Sequence, residues 1–567
     1  MAFEELLQQV GDCGRYHIFT TVLLILLGML SSPHDFMENF TGAIPAHHCS
    51  VHLLDNPQLE FNITTNLTAK ALLRVSILLD PNQNPEQCRR FHKTQWQLLI
   101  PNVTAAMNIT ELETEPCLDG WTYDQSVFTS TIVTEWDLVC DFQSFKYFAQ
   151  TITLAGHLVG TPISGILSDN YFHRFGWKPL LVATALGFGI LGIACAFAPS
   201  FILYCFFKFL MSACLSAFQN SSIIILLEGT SQKWYPRVAT VKGLSWSAGH
   251  ALLAGLAYAI RDWHKLQLAI SLPFFILSFF VCWVSESVLW LMTNGKTERA
   301  LRELQRIANI NGKKDVAQSL TTEMIRFNMK ERRNETRSHC RITEVIVNPT
   351  VFRTALFKWS FLFAGFFSYY GLLLDIRVLG TDIFMTQFLL AVTDFPSKLA
   401  SYFIIRHVKR RPSVAFLLCM MGGSIIVIIF VPIEMNILRL IIFLFGKACY
   451  SSFSVLCTVF TTELSPTILR STLQAFYIFS LRISMTCASL VLVTGKYFVH
   501  LPMILYGVLP IVALTSLYFL PETYNLPLPN TIKDLEKREA YQLSVSLITA
   551  LFPEQQKHLK VINESSI

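Results

Sequence analysis

The chain has 567 residues, 52% of them hydrophobic and only 15% charged, with a formal net charge of +6. A soluble chain of this length would divide into several domains with polar surfaces. Here charge-free stretches such as the 28 residues Leu180–Phe207 recur, and a hydrocarbon core about 30 Å thick is crossed by roughly 20 apolar residues in a helix. Composition therefore excludes a water-soluble globular protein.

In chain order, the first apolar segment predicts a spanning helix near 16–36, with residues 1–37 as one unit. It is preceded by Glu4 and Glu5 rather than a basic stretch, and it lacks a small-residue cleavage site, so it reads as a spanning helix and not as a signal peptide. A polar loop over 38–143 follows. Within it, Glu38–Asp141 holds five basic and thirteen acidic residues, a net charge of −8. It also carries Asn-x-Ser/Thr acceptors at Asn39, Asn62, Asn66, Asn102 and Asn108, the pattern of a glycosylated extracellular segment. Its four cysteines, Cys49, Cys88, Cys117 and Cys140, suggest two disulfides in an oxidising compartment. Three pairings are open. Further acceptors at Asn220, Asn334 and Asn563 fall in a predicted helix or on the inner side and are expected to stay unmodified.

Helices 2 to 6 are predicted near 145–166, 179–198, 201–227, 238–260 and 265–285, in a unit spanning 144–285. Residues 286–350 form a polar loop. The segment Lys296–Arg353 holds thirteen basic and seven acidic residues, a net charge of +6, which marks it as cytoplasmic. Leu301, Leu304, Ile307 and Ala308 recur there on one helical face. Helices 7 to 12 follow near 351–374, 382–405, 413–432, 437–461, 469–494 and 501–520, within 351–520. The tail 521–567 is polar. An even number of spans puts both termini on the cytoplasmic side.

A weak internal repeat divides the helices in two. Glu228 and Glu463 each end an apolar helix and precede a proline-containing link to an arginine, Arg237 and Arg470; the two glutamates are 235 residues apart. Glu286 and Glu522 each close the last helix of a half, 236 residues apart, and the basic links Arg174 and Arg410 share that offset. Such repeats mark transporters that rock around a central site.

These landmarks resemble the major facilitator superfamily, and longer blocks resemble the organic anion transporters of solute carrier family 22. The blocks are MAFEELLQQVG at the start, ENFTGAIPAHHC (Glu38–Cys49), EPCLDGWTYD (Glu115–Asp124), STIVTEWDLVCD (Ser130–Asp141), ELSPTILR (Glu463–Arg470) and LPETYNLPLPNTIKDLE (Leu520–Glu536). The resemblance implies an all-α membrane protein of major-facilitator type, with about twelve transmembrane helices in two six-helix halves and a large extracellular loop between helices 1 and 2. It also implies secondary-active transport of organic anions across the plasma membrane by alternating access. Sulfated steroids and other amphipathic carboxylates or sulfates are the implied substrates, with exchange for a counter-transported anion as in some relatives. In the loop between helices 2 and 3 the family's Asp169, Arg174, Gly176 and Lys178 are present. However, NYFH (Asn170–His173) is inserted and Trp177 replaces an Arg, and Lys409 stands where the family usually has Gly in the equivalent loop. These loops are thought to latch one conformation.

An ionisable group in a spanning helix is costly and is a functional candidate. Lys398 in helix 8 and Arg482 in helix 11 are two such groups, at positions resembling cationic substrate-site residues of the organic anion transporters. A carboxylate or sulfate leaving water needs a positive partner, and Arg offers a two-pronged fork. The competing reading of Lys398 is a local ion pair with Asp394, four residues earlier. Lys447 in helix 10 also resembles the family pattern, facing either substrate or a packing carboxylate such as Glu463. Tyr369 and Tyr370 look like a family tyrosine pair, Trp246 replaces a family Tyr, and His34 resembles a family position. All four are candidates for pocket lining. Glu228, Arg237, Glu286, Glu463, Arg470 and Glu522, with Asp169 and Arg174, are expected to be gating or structural.

The stretch NGKT (Asn294–Thr297) lacks the earlier glycine of a phosphate-binding loop, since position 290 is Trp290. No metal-ligand spacing or nucleophile elbow is evident, so neither an enzyme nor a cofactor is expected. The basic loop is explained by topology rather than nucleic-acid binding. The alternatives are an organic cation or zwitterion transporter of the same fold and a non-transporting degenerate paralogue.

Overall fold

The computed structural model describes residues 8–11, 14–51, 69–79, 84–99, 113–166, 177–230, 234–293, 295–325, 348–374, 382–432, 434–465, 470–495, 498, 500–524 and 536. Twelve long helices dominate it: α1 Arg15–Phe36, α2 Gln143–Ile166, α3 Trp177–Ala196, α4 Phe201–Gly229, α5 Tyr235–Ala259, α6 Trp263–Ser278, α7 Pro349–Leu374, α8 Ile383–His407, α9 Arg410–Phe430, α10 Asn436–Glu463, α11 Arg470–Thr494 and α12 Leu501–Tyr518. Their starts lie within about three residues of the hydropathy boundaries, and local chemistry sets them. The Asp262 side chain accepts the His264 and Lys265 amides at the start of α6, and Asp382 accepts the Phe384 amide at the start of α8. Pro236 and Pro502 sit in the first turns of α5 and α12, where a missing N–H costs nothing.

Among the described residues, nine of these helices are long and apolar enough to cross a bilayer by length and composition. The other three, α2, α5 and α7, carry buried polar side chains such as His157, His250 and Lys358. Those groups are spent on helix–helix contacts, and polar side chains are tolerated in a bundle interior where they find partners.

The packing repeats with an offset of six. In the first half α1 packs on α5 and α6, α2 on α4, and α3 on α4 and α6; in the second α7 packs on α11 and α12, α8 on α10, and α9 on α10 and α12. Two seams join the halves, α5 against α8 and α2 against α11, and these are equivalent under the same offset. The two-half organisation read from the glutamate spacing is therefore the architecture of the molecule. Small residues allow close approach within a half. A β-carbon on Gly156 or Gly160 of α2 would lie 2.4 Å from the Phe209 or Ala213 carbonyl oxygen of α4.

The loop after α1 folds into a lobe that is not purely helical. Strand β1 (His47–Cys49) pairs antiparallel with β4 (Trp121–Tyr123), and β2 (Arg89–Phe91) with β3 (Thr114–Pro116). Disulfides Cys49–Cys117 and Cys88–Cys140 tie this lobe together, selecting one of the three possible pairings. Arg90 ties the lobe further, donating to Glu115 at 2.8 Å, Asp119 at 2.6 Å and the Ser50 carbonyl at 2.9 Å. The His92 hydrogen bond and Arg90 hold the Glu115 carboxyl below its ordinary value. The lobe sits on the bundle through Trp136, which packs on Tyr204 and Trp263, and through Glu135, which accepts the Trp263 indole N–H at 2.7 Å.

At the other end of the bundle, Thr297–Ile310 and Lys314–Ser319 are helices closing a small apolar core with Val10 and Tyr16. Leu304, Ile307 and Ala308 are buried there and Leu301 packs against them, the face that the periodicity predicts. Asn311 fixes this unit to the chain start. Its side chain accepts the Tyr16 amide at 3.0 Å and donates to the Val10 and Gly11 carbonyls.

Candidate functional site

The residues with chemistry gather at mid-depth, where the halves meet. The α5–α8 seam is a chain of polar contacts. Lys398 Nζ donates to the Gly243 carbonyl at 2.6 Å and to Ser247 Oγ at 2.7 Å, and Ser247 Oγ donates to Asp394 Oδ2 at 3.2 Å. Towards the lobe, Gln387 meets His250 at 2.9 Å. The competing reading of Lys398, a direct pair with Asp394, is therefore replaced by a contact through Ser247. The direct partner of Asp394 is Lys447 of α10, at 2.8 Å. Of the two readings of Lys447, it faces a packing carboxylate in this conformation, Asp394 rather than Glu463, which lies at the end of α10 while the lysine lies in its middle.

Lys447 is buried and further fixed by the Tyr369 hydroxyl, which accepts from its Nζ at 2.7 Å; Tyr369 in turn stacks on Tyr450. The cavity against Lys447, Tyr369 and Tyr450 measures about 10 Å³, room for one water. This cluster is packed shut in the conformation described.

Arg482 of α11 is buried too, but its surroundings differ. Its guanidinium donates to Gln219 Oε1 of α4 at 2.9 Å, a neutral group, and its Nε has no hydrogen-bond partner. Asp35 of α1 and Tyr370 of α7 are its electrostatic neighbours. Asp35 Oδ1 stands 3.0 Å from His157 Nε2 of α2, so that carboxylate is shared. Nearby, Thr151 of α2 and Ser489 of α11 hydrogen-bond at 2.9 Å across the second seam.

The other anticipated residues are distributed more widely. Tyr370 touches the edge of the Tyr369 ring. Trp246 is half-buried against the second half's core, and its carbonyl accepts the Ser32 hydroxyl. His34 points into the first half, edge-on to Phe188 of α3, and so lies away from the seams. Glu286 and Glu522 are helix anchors within their own halves: Glu286 accepts the Trp177 and Lys178 amides at the start of α3, and Glu522 accepts the Arg410 and Arg411 amides at the start of α9. An anion at a helix N-terminus is favoured there. Glu463 pairs with Arg410 at 3.4 Å and accepts the Thr523 hydroxyl, again within one half. Arg237 is exposed and lies over the Trp234 ring. Asp169, Arg174, Asn62, Asn66, Asn102 and Asn108 lie outside the described residues, as do the side chains of Glu228 and Arg470. Asn39 is a correction: it lies in the helical turn Glu38–Thr41, buried, with its amide donating to the Leu373 carbonyl of α7. A glycan on that nitrogen has no room in this conformation.

The same criterion that singled out Lys398 and Arg482 would have found more. Asp35, His157 and Lys208 are ionisable groups in spanning helices, and Lys208 is fully buried, donating to Gln267 Oε1 at 3.4 Å. Glu38, read as part of a polar loop, is also buried and accepts the Thr153 hydroxyl at 2.6 Å. Gln219 and Ser247 are uncharged and left no such signal.

The comparisons with known proteins decide the family. The sugar (and other) transporter family profile matches residues 120–532. Mouse solute carrier family 22 member 22 is 54% identical over 539 residues, covering 95% of this chain and 96% of the relative. The chain belongs to solute carrier family 22. Human solute carrier family 22 member 12 is 39% identical with the same coverage. The human protein named steroid transmembrane transporter SLC22A24 is 40% identical, covering 94% of this chain and 96% of the relative. Among solved structures, the inward-open xylose transporter XylE from E. coli aligns with a TM-score of 0.59 at 13% identity, covering 92% of this chain and 99% of that one. That likeness gives the major-facilitator fold. The solute carrier is thus a multi-pass membrane transporter for small molecules and not an enzyme.

Proposed function

We propose that this solute carrier moves amphipathic organic anions, such as sulfated steroids, across the plasma membrane by alternating access. The observation that carries this reading is Arg482, a buried guanidinium at the meeting of the halves, hydrogen-bonded to neutral Gln219 and with an unpartnered Nε. A cation held this way retains capacity for an anion's oxygens, whereas the charge of Lys447 is already matched by Asp394. Lys398 becomes available when the α5–α8 seam opens and its contacts to Gly243 and Ser247 break. Tyr369, Tyr370 and Trp246 supply the flat faces for an apolar body.

Two features favour the orientation with both termini cytoplasmic. The disulfide-bonded lobe belongs on the oxidising side, and the basic Lys296–Arg353 segment belongs on the inner side. Exchange for an intracellular anion is compatible with this design.

The test is uptake of tritiated estrone sulfate into cells with confirmed surface expression. Saturable uptake is expected in the parent and loss of it in Arg482→Ala. Unchanged uptake in that variant would sink the assignment.

A further inference from the structure

Asp35 and His157 form a buried acid–base pair that holding an anion does not by itself require. Asp35 lies near the end of α1 and His157 within α2. Their side chains are only 5% and 2% exposed, and Asp35 Oδ1 stands 3.0 Å from His157 Nε2. The other ring nitrogen, His157 Nδ1, is buried with no hydrogen-bond partner, although polar atoms in a packed interior normally find one. Two apolar residues would serve packing at least as well, and an ionisable pair inside the membrane points to function.

The pair faces Arg482. Asp35 and His157 both lie within electrostatic reach of its guanidinium, and Tyr370 of α7 faces Asp35 and Arg482 together. The other charged groups on the elements packed against α1 and α2 lie elsewhere. On α4, Gln219 is neutral and Lys208 faces Glu38 and His34. Lys146 at the start of α2 also faces Glu38. On α5, His250 packs on Phe36 and faces Asp394, Lys398 and Lys447, and Lys242 lies two turns before Gly249, the residue that meets Met29 and Ser32 of α1. On α6, His264 and Lys265 lie beside Glu135 and Asp262 at the lobe. The cytoplasmic helices meet α1 at Tyr16, nineteen residues before Asp35, about 28 Å of helix.

The charges then limit what the site can hold. Without a bound proton the pair carries a single negative charge, which matches the positive charge of Arg482. A monoanion entering this state would add an unmatched buried charge, which a low-dielectric interior opposes. With one proton, on either the carboxylate or the imidazole, the pair is neutral and the charge of Arg482 is open to an anion. The site is therefore neutral with both passengers or with neither.

We propose that Asp35 and His157 form a proton site that makes this carrier a proton–anion symporter: one proton on the pair admits one monoanion to Arg482, and the two cross together. This coupling rests on the assignment of Arg482 as the anion's partner. A proton taken from one solution is released to the other, so the cycle is electroneutral for a monoanion. Proton and anion raise each other's affinity by the same factor.

The experiment uses the full chain in proteoliposomes that hold a pH dye, with tritiated estrone sulfate outside. The sulfate ester stays ionised between acidic and neutral pH, so any pH response belongs to the protein. An acidic outside solution is expected to raise uptake about tenfold over equal pH, and the lumen should acidify as label enters. Asp35→Asn stands in for the protonated carboxylate. Its uptake should not follow the pH gradient, and no acidification should accompany it. The same linkage is read without transport in nanodiscs and weak buffer, where estrone sulfate binding should withdraw one proton per chain from solution in the parent and none in Asp35→Asn. Should Asp35→Asn fail to show the parent's melting profile, His157→Gln is the second variant: the carboxylate has lost its base, so the pH response should move to more acidic pH. Uptake that depends on Arg482 but ignores the gradient, or proton withdrawal undiminished in Asp35→Asn, would overturn the coupling and leave the transport assignment standing. Uptake unchanged by Arg482→Ala would instead remove the anion site, and the coupling with it.

Discussion

The two seams between the halves are equivalent in backbone and differ in how directly their buried cations meet a carboxylate. On the α5–α8 side, the ammonium groups of Lys398 and Lys447 meet the single carboxylate of Asp394, one through Ser247 and one directly. On the α11 side, Arg482 is held by Gln219 and the nearby carboxylate of Asp35 stands against His157. The repeat gives each half the same helix packing, so the difference lies in the side chains alone. Burying a charge is tolerated when it is matched, and a matched charge is structural. A charge held by neutral groups keeps its capacity for a ligand. The comparison therefore separates Lys447, whose charge is matched directly by Asp394, from Arg482, whose hydrogen-bonding side-chain partner Gln219 is neutral.

The largest effect is expected from breaking the matched pair. Asp394→Asn leaves Lys447 buried and unpaired, which costs about 3–5 kcal/mol; the purified protein should lose its monodisperse peak and melt well below the parent. Adding Lys447→Met to that variant should restore most of the stability, because neither charge then remains. A melt unchanged by Asp394→Asn alone would remove the contrast between the seams.

Arg482→Ala should leave folding near the parent's and lower anion uptake roughly 10–100-fold, the range of a lost hydrogen bond to a charged group, about 1.5–3 kcal/mol. Arg482→Lys keeps the charge but loses the two-pronged geometry, and an intermediate uptake is expected. Equal uptake in Arg482→Lys and parent would show that charge alone suffices.

Lys398→Gln removes contacts to Gly243 and Ser247 across the seam. A stability loss of about 1.5 kcal/mol is expected, read as a lower melting temperature without loss of surface expression. The smallest effect belongs to Thr151→Val, which removes the Thr151–Ser489 bond of the other seam. Interhelical bonds of this kind average about 0.6 kcal/mol in membrane proteins, so a shift of one or two degrees is the expected reading. A larger loss than in Lys398→Gln would reverse the ranking of the seams.

Much of the fold was legible in the chain. Charge-free runs locate spanning helices because lipid forces backbone groups to pair within the segment, and the paired glutamates announced the repeat because Glu286 and Glu522 perform the same anchoring task in each half. The site was legible in part. Lys398 and Arg482 stood out as ionisable groups in apolar helices. Their partners did not, because Gln219 and Ser247 lie 263 and 151 residues away in sequence and are uncharged. Asp394 sits at helical spacing from Lys398, which suggested a local pair, yet the closer fit was to Lys447 on another helix. Glu38 and Asn39 open a polar stretch of sequence, yet the continuation of α1 into the turn Glu38–Thr41 buries both.

By itself the sequence determined a membrane-spanning, two-half, helical body and the presence of cations within its apolar helices. Those follow from hydropathy, charge bias and repeated spacing, which are properties of single segments. Only the tertiary structure decided which cysteines join, which lysine Asp394 neutralises, that Arg482 is met by a neutral partner, and that Asp35 stands against His157. Each of those depends on which helix faces which, and that is fixed by packing between segments far apart in the chain.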